Sequence, residues 1–362
     1  MYASNPNSYG SLEGARKILS QNGAARDQIL DCLASIEKKL QNGSAVNVRE
    51  EVTGPIADLL FESGELLTRK ISNGMSFSFR YSSKIARDFM MARQTPLDHV
   101  WEPQTTKAVV ALSKGAKNVI VGGAYIGDHS LLIARSMARD GVCHCFELSD
   151  DSLEMLRMNL KNNHISNVKI NQLALWSVDG VKIELAGEDS HASPQIADKD
   201  TTAPHFVSSS IDNYAQKNKL DQIDVVMLDI EGGEFEALLG AKSVMARPVA
   251  SAPAIICEIH AAYVDWSAGL RTTPLCQLMI DNGYEIFAIR DYQGNDPSAG
   301  EIVELVDIDS AVISGPKHGF NLLAVKSRDR LDPAVFSIVN NVSPKLLHHR
   351  DPKIYGPLTV RA

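Results

Sequence analysis

The chain has 362 residues, room for one large α/β domain with a smaller appended region, or for two modest domains. Its 36 lysines and arginines against 44 aspartates and glutamates leave a formal charge of -8. No Lys/Arg cluster stands out, which argues against nucleic acid as a partner. No run approaches the roughly 18 apolar residues of a membrane span, and Met1 to Gly10 is polar. The expectation is a cytoplasmic protein with no secretory signal and no membrane span.

Met1 to Gly10, rich in Ser, Asn, Tyr and Gly, reads as a loose tail. From Ser11 to about Leu40 the apolar residues recur at helical spacing, with a break at Asn22-Gly23. A second helical pattern covers about Val48 to Ile71, with Pro55 in its first turns. Asn73-Gly74 separates it from Met75 to Tyr81, whose alternation predicts a strand. Residues 1–95 thus read as a helical cap with a short strand, packing against the main domain or a second subunit, or shaping a substrate cleft. The five cysteines are scattered without a Cys-x-x-Cys pair. Cys143 and Cys145 share one face of a strand and read as buried thiols rather than metal ligands.

Trp101-Glu102-Pro103 precedes a helix from about Gln104 to Lys114. Glu102 stands where it either reaches a ligand amino group or neighbours a helix N-cap. Lys117 to Glu147 then spells one β-α-β unit: a strand to Val121, a turn punctuated by Gly122, Gly123 and Gly127, a helix opening at Ser130, and a second strand ending in Glu147. Glycines let a ligand approach the backbone, and free N–H groups at the helix start favour electron-rich atoms. Glu147 is placed to accept both hydroxyl hydrogens of a ribose. The glycine spacing makes little provision for a pyrophosphate, so the turn suits an adenosine with a short amino-acid arm better than a dinucleotide.

A helix over about Ser152–Asn162 follows, then a third parallel strand over Val168–Leu175, where the backbone of Ala174 could bond an adenine edge. Val178 to Leu185 reads as a hairpin about Asp179-Gly180, and polar Gly187 to Ser210, holding His191 and His205, as a lid or disordered loop. A buried strand from Ile223 ends at Asp229, with Glu231 just beyond it, and a glycine pair opens a helix at Glu234. The helix dipole accounts for Glu234 and Glu236 but not for Asp229 and Glu231. Ala254 to His260 is another buried strand, ending in Glu258 and His260 on one face. Acids and an imidazole at three strand ends amount to a site, because desolvating that much polarity without use would be costly. Tyr263 and Trp266 offer a wall for a sugar ring or a subunit contact. Tyr284 to Arg290 and Phe320 to Lys326 read as closing strands with a turn-rich insertion over Asp291–Gly300, and residues 331–362, with Pro333, Pro344, Pro352 and Pro357, as an extended C-terminal arm.

The run Gly123 to Ser130 with Glu147, Leu173-Ala174-Leu175, Ser210-Ile211-Asp212, Asp229-Ile230-Glu231-Gly232-Gly233-Glu234-Phe235, Gly240-Ala241 and Glu258-Ile259-His260 resembles the FkbM-type family of S-adenosylmethionine-dependent O-methyltransferases. The resemblance covers roughly residues 100 to 330, and the Asp-x-Glu-Gly-x-Glu segment is its most specific part. It implies a class I, Rossmann-like doubly wound α/β sheet of seven strands over residues 96–330, mostly parallel with an antiparallel C-terminal hairpin. S-adenosylmethionine would be held by Glu102, Gly123, Ala124, Tyr125, Gly127, Ser130, Glu147, Leu148, Ala174 and Asp229. The family usually has Asp two residues before the first glycine of the turn; here that residue is Val121, so Glu102 or Asp229 compensates or the cofactor is bound weakly.

Methyl transfer to an alcohol needs an oxygen aligned behind the methyl group and a base for its proton. His260, with an ordinary pKa of about 6.5, suits that role, with Glu231 and Asp229 assisting and Glu258, Tyr263 and Trp266 on the substrate. The expected acceptor is a small molecule or glycan hydroxyl. Two alternatives stand beside this: a divalent ion held by Asp229 with Glu258 and His260, left aside because the Glu258 segment shows no close carboxylate pair, and a catalytically weak binding or regulatory protein. Oligomerisation is left open.

Overall fold

A computed structural model describes residues 12–41, 45–93, 97–186, 193–198, 202, 204–296 and 301–359. The expected N-terminal tail, His191, Pro297 and Gly300 lie outside the described residues. The chain opens in α1 (Leu12–Ser20) and α2 (Gly23–Gln41), and Asn22 caps the second by accepting the N–H of Ala25 at 3.1 Å. Leu30 and Leu33 carry the buried stripe of α2.

The single helix expected over 48–71 does not form. A π-helical turn (Arg49–Thr53) leads into α3 (Gly54–Asp58), and Pro55 sits in its first turn, where the missing N–H costs nothing. Beyond Gly64 (φ +78°) the chain becomes strand β1 (Glu65–Lys70), paired antiparallel with β2 (Ser76–Tyr81) through the Asn73-Gly74 turn. Pairing with the strongly alternating β2, which buries Phe77, Phe79 and Tyr81, overrides the helical propensity of Glu65-Leu66-Leu67. Helix α4 (Lys84–Met91) follows, capped by Ser83, and α5 (Pro103–Leu112) leads into the main sheet.

That sheet has nine strands where the resemblance implies seven. In chain order they begin with β3 (Asn118–Gly122), β4 (Val142–Phe146) and β5 (Val168–Asn171), separated by α6 (Ser130–Ser136) and α7 (Asp150–Asn162). On α7, Asn159 and Asn163 lie one turn apart. Each both donates to and accepts from the backbone of β2, at Ser78 and Ser76, and so satisfies its free edge. The expected third strand stops at Asn171. The next pair, β6 (Ala174–Leu175), joins instead a small sheet with β7 (Lys182–Ala186), β8 (Ser193–Ile196) and β9 (Phe206–Ser209). The partners of β7 are therefore β8 and β9, both inside the segment expected to be a loop, rather than a hairpin about Asp179-Gly180.

After α8 (Ile211–Lys217), strand β10 (Val225–Leu228) returns to the other side of β3. Then come α9 (Glu234–Leu239), α10 (Lys242–Met245), β11 (Ala254–Ile259) and α11 (Pro274–Asp281). Strands β3, β4, β5, β10 and β11 are all parallel. The chain reverses its direction of travel between β3 and β10, and ligands of doubly wound sheets bind at the carboxyl ends beside such a switch point. The closing strands β12 (Glu285–Ile289) and β15 (Phe320–Val325) are antiparallel neighbours, as the resemblance implies. Between them in the chain come β13 (Asp291–Tyr292) and β14 (Val303–Asp307).

The last segment is more than an arm: β16 (Phe336–Val339) becomes the ninth strand by pairing parallel with β14, and β17 (Lys345–Leu346) pairs with β13. The short α12 (Pro352–Tyr355) completes the chain. A buried ion pair of Arg290 with Glu304 fastens this segment. The guanidinium donates to the carbonyls of Ser343, Ile354 and Gly356 at 2.8 Å each, and Glu304 accepts from Leu358 and Thr359.

Candidate active site

The ends of β3, β4, β10 and β11 open into one cleft bordered by Gly123, Glu147, Asp229, Glu231, Glu258 and His260. The glycine turn after β3 has φ +76° at Gly123, and a methyl group there would sit 1.7 Å from the carbonyl oxygen of Asp229. Only glycine lets the two loops meet. Gly127 answers to a different neighbour, since a side chain there would strike Leu131 and Leu156; it packs α6 and α7 and does not border the cleft.

Glu147 is held by three backbone N–H groups: Tyr125 donates to one carboxylate oxygen at 2.8 Å, Leu148 and Ser149 to the other at 2.7 and 2.8 Å. These bonds favour the charged form, but burial outweighs them and raises its pKa. Glu102 borders the cleft as well, accepting from Asn321 Nδ2 at 2.7 Å. Its pKa is raised well above the ordinary range, by burial first and then by the charges of Asp291 and Asp229. Among the described residues only six non-glycines adopt positive φ, and Glu102, Tyr125 and Glu231 are three of them. All three border the cleft. Such strained backbone gathers at functional sites.

Asp229, Glu231 and Glu258 approach closely enough that one oxygen from each lies within 4.8 Å of the others. Burial followed by mutual repulsion raises Asp229 and Glu258 well above the ordinary carboxylate range. The carboxylate pair that the Glu258 segment lacks in sequence is supplied by the neighbouring strand β10. Three convergent carboxylates match the oxygen donors of a hard divalent cation. Glu234 has a different role: it accepts the N–H groups of Ile230 and Gly232 at 2.8 and 3.0 Å, pinning the turn that presents Glu231, and burial pushes its pKa to about 7.

His260 borders the same cleft as Glu147, so the geometry on which the sequence reading turns is present. Its Nδ1 accepts the N–H of Ala262 at 2.9 Å. In the neutral ring that keeps this bond the proton therefore sits on Nε2. The expectation that His260 is the base meets this obstacle: its lone pair is engaged by the turn that follows it.

Of the other expected residues, Tyr125, Leu148 and Ala174 border the cleft. Ala124 and Ser130 are buried beneath it. Tyr263 stands at the edge, its ring against Gly232 and its hydroxyl donating to Glu231 at 3.3 Å. Trp266 turns away and packs 5.5 Å from Phe320, so it supplies core rather than a sugar wall. Val121 is buried in the apolar core. Sequence reasoning passed over Asp128, which borders the cleft and bears electrostatically on Glu102, Glu147 and Asp229. Its signal was an acid directly after the last glycine of the turn. Lys84, Trp101 and Gln293, from distant parts of the chain, complete the wall.

Residues 122–292 match the family model described as the methyltransferase FkbM domain. No curated protein sequence matches the chain. Solved structures similar to it include a precorrin-6y C5,15-methyltransferase from Geobacter metallireducens GS-15, at 15% identity, covering 61% of this chain and 87% of that one with a TM-score of 0.33. An O-methyltransferase from Bacillus cereus in complex with SAH is 12% identical over 62% of this chain and 80% of its own, with a TM-score of 0.31. A SAM-dependent methyltransferase from Agrobacterium tumefaciens is 11% identical over 73% and 70%, with a TM-score of 0.38.

Proposed function

We propose that the chain, whose residues 122–292 match the methyltransferase FkbM domain, transfers a methyl group from S-adenosylmethionine to a hydroxyl oxygen of a sugar, glycan or secondary metabolite. The observation that carries this reading is the meeting of Asp229, Glu231, Glu258 and His260 in the cleft that also holds Gly123 and Glu147. Glu147 takes the ribose hydroxyls, the backbone about Gly123 and Tyr125 follows the methionine arm, and Ala174 with Leu148 flanks the adenine. Asp128 and Glu102 supply the negative charge that Val121 does not, facing the ammonium and sulfonium charges of the cofactor.

The chemistry is an in-line displacement. The acceptor oxygen bonds to the methyl carbon, the carbon–sulfur bond breaks, and its electron pair stays on sulfur as S-adenosylhomocysteine. The hydroxyl proton passes to a carboxylate of the Asp229, Glu231 and Glu258 group. Glu258 suits this best, because burial, and after it the repulsion of Asp229 and Glu231, makes it more basic than an ordinary carboxylate. His260 donates from Nε2 and orients the oxygen. Incubation with methyl-labelled S-adenosylmethionine and a panel of hydroxylated acceptors tests the reading by mass spectrometry of the labelled ether. Label found only on nitrogen or carbon, or no affinity for S-adenosylmethionine by calorimetry, refutes it.

A second reading is favoured by the 4.8 Å convergence of the three carboxylates. Asp229, Glu231 and Glu258 would hold a divalent cation, which when bound would polarise the acceptor oxygen. Turnover that survives exhaustive chelation excludes it; turnover lost and restored by magnesium or manganese supports it.

A further inference from the structure

A second cavity, of about 750 Å³, lies between the N-terminal helices and the C-terminal segment. That is within the range of about 300–1,000 Å³ typical of small-molecule sites. One wall comes from α2, the π-helical turn and α4; the other from residues 292–296 and 346–350. It adjoins the cofactor cleft, because Lys84 and Gln293 border both, and Lys84 donates to the Gln293 carbonyl at 3.3 Å on the boundary. His318 lines the second cavity within electrostatic reach of His260 in the first.

Asn295 is 7% exposed and lines this cavity, yet neither its Nδ2 nor its Oδ1 has a hydrogen-bond partner among the described residues. A buried primary amide with donor and acceptor both unmatched calls for a ligand that can accept and donate side by side. Hydroxyl groups do both. Charges of both signs line the walls, Arg49 and Arg350 against Asp88 and Asp296, so the cavity is not built for an anion or a cation. Tyr292 and His348 stack there at 4.9 Å and 20°, offering the flat surface against which sugar rings pack.

We propose that this cavity is the acceptor site, that it takes a neutral polyhydroxylated ring such as a pyranoside, and that Asn295 selects it by pairing with adjacent hydroxyls. The proposal rests on the methyltransferase reading for the direction of transfer, with the acceptor hydroxyl passing Lys84 and Gln293 towards His260. It assigns the N-terminal helices and the C-terminal segment one shared task, the shaping of the acceptor pocket.

The full chain, loaded with S-adenosylhomocysteine, is tested by saturation-transfer NMR against methyl glucoside and methyl mannoside. Glucuronate serves as the anionic comparison and cyclohexanol as the apolar one. Calorimetry first measures the cofactor product; failure there strikes the methyltransferase reading and not the pocket. With the product bound, a pyranoside signal that falls at least tenfold in Asn295→Leu, with product affinity within twofold, is the expected result. No pyranoside signal, an unchanged one in the variant, or preference for glucuronate or cyclohexanol overturns the proposal. If Asn295→Leu does not fold, a nitroxide on Lys38→Cys at the exposed rim, in a Cys32→Ser background, replaces it. Broadened pyranoside protons then support this cavity, and unaffected ones place the sugar elsewhere and overturn it.

Discussion

The backbone N–H of Tyr125 donates to the Glu147 carboxylate at 2.8 Å, tying the glycine turn after β3 to the end of β4. The acid proposed to meet the ribose is thus oriented by the turn proposed to follow the methionine arm. Glu147→Ala removes a charged acceptor and should weaken S-adenosylmethionine binding about ten- to a hundredfold, from roughly 1.5–3 kcal/mol per charged hydrogen bond. Calorimetry checks this, and an unchanged affinity would place the ribose elsewhere.

The cleft's acids predict a pH dependence that differs between cofactor and product. Glu102, Asp229 and Glu258 all have raised pKa values, so each keeps its proton to a higher pH than an ordinary carboxylate does. A cation binds the ionised forms and displaces their protons, so affinity for it rises with pH. S-adenosylmethionine carries a sulfonium charge that its product lacks. Its affinity relative to the product should therefore increase from pH 5 to pH 8, and Asp229→Asn should flatten that increase.

Glu258→Gln and His260→Ala separate base from orienting group. Loss of a general base typically costs about 10²–10⁴ in rate, and that is the expected effect on kcat for Glu258→Gln. His260→Ala should cost less and keep the same limb of the pH–rate profile. If that limb disappears with the imidazole, the Nδ1 bond from Ala262 opens during turnover and His260 is the base after all.

Glu234 links the site to stability. Its folded pKa of about 7 lies above the ordinary 4.5, so its contribution is fully present below about pH 4.5 and is lost as pH rises through 7. Glu234→Gln keeps an oxygen for the Ile230 and Gly232 N–H groups without the buried charge. Chemical denaturation should find it about 1–3 kcal/mol more stable than the parent at pH 8 and indistinguishable at pH 4. Equal stability at pH 8 would mean that Glu234 is solvated in the ionised form.

Arg290→Met should destabilise by about 3–5 kcal/mol, since it leaves the Glu304 carboxylate buried without its partner. The double variant with Glu304→Leu should recover much of that loss. A single variant as stable as the parent would show that the C-terminal segment is held by other contacts.

The β-α-β unit over 117–147 was legible because its glycines, apolar strands and terminal acid are all local signals, and β10 and β11 because a parallel strand buried on both faces reads as a continuous apolar run. Leu66 to Lys70 was not, because its residues favour helix and only the partner β2 makes it a strand. Phe336 to Val339 is four residues long and gains its identity from pairing with β14, a contact no local pattern encodes. In the site, each acid was visible at its own strand end, but the convergence of Glu231 with Glu258 depends on the register of β10 against β11. The tautomer of His260 depends on where the next turn points its N–H. Asn295 carries no sequence mark at all; its meaning arises only from being enclosed.

The close approach of Gly123 to the Asp229 carbonyl has a consequence for turnover. A side chain at residue 123 would drive the two loops apart, so the floor of the cleft keeps its shape only while glycine stands there. Leu185 of β7 and Pro194 of β8 also border the cleft, on a small sheet apart from the nine-stranded one. A border built from two separate sheets lets one side shift while the glycine floor stays put, and where such a shift releases product it sets the turnover rate.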